Sequence, residues 1–227
     1  MMDRLSFRRF FPILLVLLGC LSIGWVETVL QPVYPVKSGL KILIFLGCSA
    51  LYILITRDRT PLTVFRRPHS AALRLAGLLA AGTLAIILGG YALLSPWLDL
   101  SAITGNLGTK EGITAATFPL AALYISFGNS LLEEFFFRGF AFLTLKKAGF
   151  GLFAWFFSAL SFALYHVCIM GSWFHPVLFL LLTAGLALSG LLFNWLDRNG
   201  SIWPSWLVHM AANLAINTIG LSLFGLL

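Results

Sequence analysis

The run Ala115–Leu145 reads AATFPLAALYISFGNSLLEEFFFRGFAFLTL. It is longer than the roughly 20 apolar residues that carry a helix across a bilayer. Its middle nevertheless holds two acids and a base, Glu133, Glu134 and Arg138. An ionisable side chain inside a span costs about 2.5–3.5 kcal/mol on insertion scales, so a helix that accepts three of them needs them. Glu134 and Arg138 stand four apart in the favoured acid-first order and meet on one helical face as an internal ion pair. Glu133 points about 100° away. It is the carboxylate left for other work, and general-base catalysis is one such use. The plainer reading makes all three a charge cluster that holds helices together. That reading leaves one negative charge uncompensated, which favours a working role for Glu133.

Six more apolar runs surround this one: Phe11–Leu30, Gly39–Thr56, Leu73–Leu94, Gly151–Ile169, Pro176–Trp195 and Trp203–Phe224. Lipid offers the backbone no hydrogen-bond partner, so each run is expected to be helical. With 59% hydrophobic and only 10% charged residues, the chain lacks the polar surface that a water-soluble domain must present. The expected fold is all-α and polytopic: one integral membrane domain over residues 1–227, with about seven transmembrane helices enclosing a polar cavity. The first run continues past Cys20 without a small-residue cleavage site, so it reads as an anchor rather than a cleaved leader. Cys20, Cys48 and Cys168 form no CxxC pair and read as buried thiols.

The formal charge of +7 does not point to nucleic acid, because the basic residues lie between apolar runs. Arg4, Arg8, Arg9, Arg57, Arg59, Arg66, Arg67, Arg74, Lys146, Lys147 and Arg198 all fall on one side if the spans alternate. The other side receives only Lys37, Lys41 and Lys110. The positive-inside rule then puts the N-terminus in the cytoplasm and the C-terminus outside. Trp97, Trp173 and Trp203 sit near span ends, where an aromatic belt would hold them. Glu27 and Lys41 lie near outer span ends and are expected to snorkel to the interface.

Further polar residues stand in the interior of later spans. His166 follows Phe162 by one helical turn. His209 and Asn213 share a face of the last span, and Asn217 extends that stripe. Histidine can orient or protonate, and an amide suits an oxyanion. Hydrogen bonding between helices is the ordinary alternative for each. Their gathering in the second half of one chain favours a shared polar cavity. Depth is a check on this: Glu133 lies about 20 Å of helix from Lys146, but His209 only about 9 Å from Trp203. The two agree only if the fourth helix protrudes or the seventh starts below the surface.

Glu133-Glu134-xxx-Arg138, Phe162-xxx-His166 and His209-xxx-Asn213 resemble, in order and spacing, the EExxxR, FxxxH and HxxxN/D motifs of the CAAX protease and bacteriocin-processing (CPBP, or Abi) family. This family includes the type II CAAX prenyl endopeptidases. The resemblance covers roughly residues 130–217 and none of the first three spans. It implies an intramembrane endopeptidase with a conical cavity open towards the cytoplasm, acting on a peptide or membrane-protein substrate in the lipid bilayer. It implies that Glu133 activates water with help from His166, that His209 and Asn213 stabilise the oxyanion, and that Glu134, Arg138 and Phe162 organise the site. Glu133, His166 and His209 could also supply a one-carboxylate, two-histidine zinc set, and the metal-free mechanism is preferred. The short chain resembles prokaryotic members, placing it in a cell membrane where prenylated substrates are doubtful. Two other classes remain open: a non-catalytic immunity or scaffold protein of the same fold, and a small transporter using the polar groups as an ion path.

Overall fold

The structure, a computed structural model, describes residues 4–97, 100–170 and 176–227. The expected belt residue Trp173 lies outside the described residues. Helix α1 spans Arg4–Trp25 and ends in a π turn, Val26–Leu30. Next come α2 (Tyr34–Thr56), a 3-10 turn (Thr60–Phe65), α3 (Ser70–Leu94) and the short α4 (Ser101–Thr109). A continuous helix, α5, runs over residues 118–147. It is followed by α6 (Gly151–Met170), α7 (Pro176–Asp197) and α8 (Trp203–Leu223). Among the described residues, six helices are long and apolar enough to cross a membrane: α1, α2, α3, α6, α7 and α8. The mixed helix α5 is the remaining long element of the all-helical bundle, and the chain is an integral membrane protein.

Helix α5 is the central post. Every residue from Leu132 to Leu145 is buried, as expected of a helix apolar on all sides. Its phenylalanines fill the space around it. Phe136 stacks on Phe45 of α2 at 3.9 Å between ring centroids, Phe135 on Phe65 of the 3-10 turn at 5.6 Å, and Phe137 meets Phe162 of α6 edge-on at 5.4 Å.

The sequence predicts a plain α-helix here, and the structure differs. Two π stretches, Tyr124–Asn129 and Phe135–Leu143, flank the α-helical Ser130–Glu134 that carries both glutamates. Widened turns free carbonyls from the helical ladder, and in lipid these need new donors. Neighbouring helices supply them. Asn217 Nδ2 donates to Ala122 O at 3.2 Å, Asn213 Nδ2 to Ile125 O at 3.2 Å and Trp206 Nε1 to Phe127 O at 3.3 Å. Ser158 Oγ donates to Phe137 O at 2.7 Å. Such π segments within α-helices recur at functional sites.

The basic residues after α2, α5 and α7 gather at one rim. Lys146 Nζ donates to Arg198 O at 2.7 Å, Lys147 Nζ lies 3.5 Å from Asp58 Oδ1, and Ser201 Oγ donates to Arg66 O at 2.8 Å. Asp58 is held below the usual carboxylate range. Burial works against this, but bonds from the Thr60 hydroxyl and N–H, the Tyr52 hydroxyl and nearby Lys147 outweigh it. The depth question resolves at the same rim. Residue Ile202, just before α8, is fully buried and donates its N–H to Val64 O at 3.1 Å. Helix α8 therefore begins inside the bundle, behind the 3-10 turn, which brings His209 level with Glu133.

Helices α6 and α7 pack backbone to backbone at Gly190, where an added Cβ would lie 2.9 Å from Ala159 Cα. Gly190→Val is therefore expected to destabilise the protein by about 1–3 kcal/mol, the range for overpacking. Gly185→Ala, with open space at its Cβ, should be near neutral. Unfolding midpoints of the two variants in detergent micelles test this difference.

Candidate active site

The structure brings Glu133, His166 and His209 together, and all three line a cavity of about 520 Å³ that Asn213 and Asn217 also line. The two oxygens of Glu133 have different surroundings. Oε1 accepts from Asn129 Nδ2 at 2.9 Å and Tyr165 Oη at 3.2 Å, and Lys41 Nζ stands 3.4 Å away. Oε2 faces His209 Nε2 at 3.7 Å and His166 Nε2 at 3.9 Å. One oxygen is thus anchored, while the other is left towards the histidines.

Each histidine is fixed through its other nitrogen. His166 Nδ1 lies 2.7 Å from Phe162 O, one turn back along α6, so it donates there and its Nε2 is the acceptor when the ring is neutral. His209 Nδ1 lies 2.7 Å from Glu134 Oε1, and its ring stacks on Phe193 at 5.6 Å. A carboxylate at Nδ1 orients the imidazole.

Glu134 and Arg138 are both fully buried, and Arg138 Nε lies 3.3 Å from Glu134 Oε2, the pair expected from their spacing. The guanidinium sits 4.2 Å from the ring centroid of Phe162 and 4.9 Å from that of Phe193, within cation–π range. Phe162 thus packs on both Arg138 and His166. Behind them, the buried Asp197 accepts from the Ser205 hydroxyl and N–H, capping the start of α8.

One expectation is corrected. Lys41 does not snorkel outward: its ammonium turns inward to Asn129 Oδ1 at 2.9 Å and to Glu133. A carboxylate within reach of its long stem in low dielectric outweighs the distance to the interface. The negative charge left over on α5 is therefore met by α2. Glu27 is paired. It lies 2.7 Å from Lys37, whose ammonium also meets Glu111 at 2.8 Å. Asn129, Tyr165 and Lys41 were missed by sequence reasoning. Lys41 was the most findable, because it and Lys37 are four apart on one face of a membrane helix.

The zinc reading fails a test of fit. Among the described residues no group of three His, Cys, Asp or Glu side chains could hold a metal ion. The Lys41 ammonium also puts a fixed positive charge at the Glu133 carboxylate, where a dication would be repelled.

With this geometry established, comparison with known proteins adds the family. Residues 115–215 match the family model described as type II CAAX prenyl endopeptidase Rce1-like. The matched segment covers less than half of the chain. It runs from the start of α5 into α8 and holds Glu133, Glu134, Arg138, Phe162, His166, His209 and Asn213. It stops short of Asn217 and does not include α2, which brings Lys41. No curated protein and no solved structure matches the chain.

The resemblance also implies a cavity open to the cytoplasm. The cavity runs from Glu133 to Leu94, Leu107, Glu111 and Leu223, the rim opposite the gathered arginines and lysines. A cytoplasmic basic rim and a cytoplasmic mouth cannot both hold.

Proposed function

We propose that the protein is an intramembrane endopeptidase of the CAAX type that hydrolyses a peptide bond with water activated by Glu133. The observation that carries this reading is the unequal treatment of the two Glu133 oxygens. Three donors on Oε1 fix the carboxylate, and Oε2 is left facing two imidazoles at a distance a bridging water can serve. In this reading water donates to Glu133 Oε2 and is oriented by the His166 Nε2 lone pair. As its oxygen bonds to the scissile carbonyl carbon, Glu133 takes its proton. The carbonyl π pair moves to oxygen, giving an oxyanion held by His209 and by the Asn213 amide. Asn213 has two N–H groups; one donates to Ile125 O and the second remains for the oxyanion. The oxyanion then re-forms the carbonyl, the C–N bond breaks, and Glu133 passes its proton to the departing amine. Glu134 holds His209 in position, and Arg138 balances Glu134.

Cleavage of a quenched CAAX-type peptide and of a membrane-protein pool by the purified protein tests the assignment. Chelator should leave the rate unchanged, and a rate abolished by chelator and restored by zinc would refute the metal-free route. Lys41 serves as a positioning residue for Glu133. Lys41→Met is expected to lower kcat about 10- to 100-fold, the equivalent of one charge-assisted hydrogen bond, with KM little changed. Lys41→Arg should restore much of the loss, and an unchanged kcat in Lys41→Met would remove Lys41 from the mechanism.

A further inference from the structure

We infer that the basic rim holds a site for one anionic phospholipid, with its phosphate on Arg66 and Arg67 and an acyl chain in the tryptophan-lined groove beside them. This does not depend on the protease reading. Two concavities adjoin at this rim and share Arg67 and Pro68. The first, of about 190 Å³, is lined by Arg66, Arg67 and His69 together with Asn199 and Ser201. The second, of about 340 Å³, is lined by Phe65, Leu73, Trp203, Trp206 and Leu207.

Charge decides the headgroup. Among the described residues no acid pairs with Arg66 or Arg67. Asp58 is committed to Tyr52, Thr60 and Lys147, and the buried Asp197 to Ser205. Guanidinium forks match phosphate oxygens two by two, and basic pockets at the ends of membrane helices take anionic headgroups. The pocket is built rather than incidental. The Arg66 guanidinium lies over Gly200, in space that a side chain there would fill. The backbone beneath it is pinned, with Ser201 Oγ donating to Arg66 O at 2.8 Å and Ile202 N–H to Val64 O at 3.1 Å.

The groove decides the source of the phosphate. Trp203 Nε1 donates to Phe65 O at 2.9 Å and Trp206 Nε1 to Ser130 Oγ at 3.1 Å. With their N–H groups used in the bundle, the two indoles offer the groove apolar surface. Leu73 lies one turn into α3 and Leu207 one turn into α8. Those helices pack together deeper down through Ala76, Ala80, Val208 and Ala211. The groove therefore leads from headgroup level along two membrane helices, which is the course of an acyl chain. An acidic peptide would satisfy the arginines but would place backbone polar groups in this apolar groove, at a cost that a hydrocarbon chain avoids.

Native mass spectrometry of the full chain released from detergent, with phosphatidylglycerol or phosphatidylcholine of the same acyl chains, tests the site. One phosphatidylglycerol should be retained at roughly tenfold lower lipid concentration than phosphatidylcholine, as expected for charge-assisted bonds to phosphate. Arg66→Gln/Arg67→Gln should erase that preference and leave the weaker phosphatidylcholine binding unchanged. Leu73→Gln, exposed in the groove, should weaken retention of both lipids. Unfolding midpoints without lipid should match wild type in each variant; if the double variant folds poorly, Arg67→Gln alone gives the same reading. Phosphatidylglycerol should also raise the wild-type midpoint by mass action, and inorganic phosphate should not. Equal retention of the two lipids, or a preference that survives in the arginine variants, would overturn the proposal. A midpoint raised as much by inorganic phosphate as by phosphatidylglycerol would assign the pocket to a free anion and overturn the lipid.

Discussion

Glu133→Gln is expected to abolish measurable peptide cleavage while the protein still folds. Glutamine has nearly the shape of glutamate, and its amide oxygen can still accept from Asn129 and Tyr165, now at 2.9 and 3.2 Å from Oε1. What it cannot do is take a proton from water. Losing a positioned general base costs typically 10²- to 10⁴-fold in rate, enough to bring slow intramembrane proteolysis to background. The change also leaves the Lys41 ammonium without its carboxylate, so some stability should be lost too. Glu133→Gln/Lys41→Met removes that unpaired charge, and it should unfold later than the single variant while remaining inactive. Purified proteins compared by peptide cleavage and by unfolding midpoint separate the two effects. Full activity in the glutamine variant would return the protein to the scaffold reading, in which Glu133 is only a packing charge.

The parts of this site legible in the sequence were those where an expensive residue stands in a cheap background. Glu133, Glu134 and Arg138 interrupt a run that is otherwise apolar, and helical spacing pairs the last two correctly. His166 and His209 could be named as polar intrusions, but their convergence on one carboxylate oxygen depends on how α6 and α8 pack around α5. Lys41 was read as an end-of-span residue because a lysine stem can reach either way. Only the position of Glu133 across the bundle shows which way it goes. Asn213 and Asn217 posed a choice between chemistry and helix packing, and the structure joins the two. Asn213 bonds a carbonyl of the first π stretch and Asn217 a carbonyl just before it and the Ser126 hydroxyl within it, and both also line the cavity. The π turns themselves had no local signature, because they persist through donors sent from other helices.

Arg138→Met should be the most destabilising single change in the site. Arg138 and Glu134 are fully buried, and removing one partner of a buried pair leaves the other charge uncompensated, at a cost of about 3–5 kcal/mol. Methionine fills much of the same volume, so little of the loss would come from a cavity. The aromatic faces of Phe162 and Phe193 that now meet the guanidinium would accept the thioether without strain. Glu134→Gln/Arg138→Met removes both charges and should recover a large part of the stability, since apolar replacement of a whole buried pair is often neutral. Activity should not return with it. His209 Nδ1 would then face a neutral amide in place of the carboxylate at 2.7 Å, and a hydrogen bond to a neutral acceptor holds the ring less firmly than one to a carboxylate. The double variant should therefore unfold close to the wild-type midpoint with kcat still lowered. Recovery of both stability and kcat would show that the Glu134–Arg138 pair serves the fold alone.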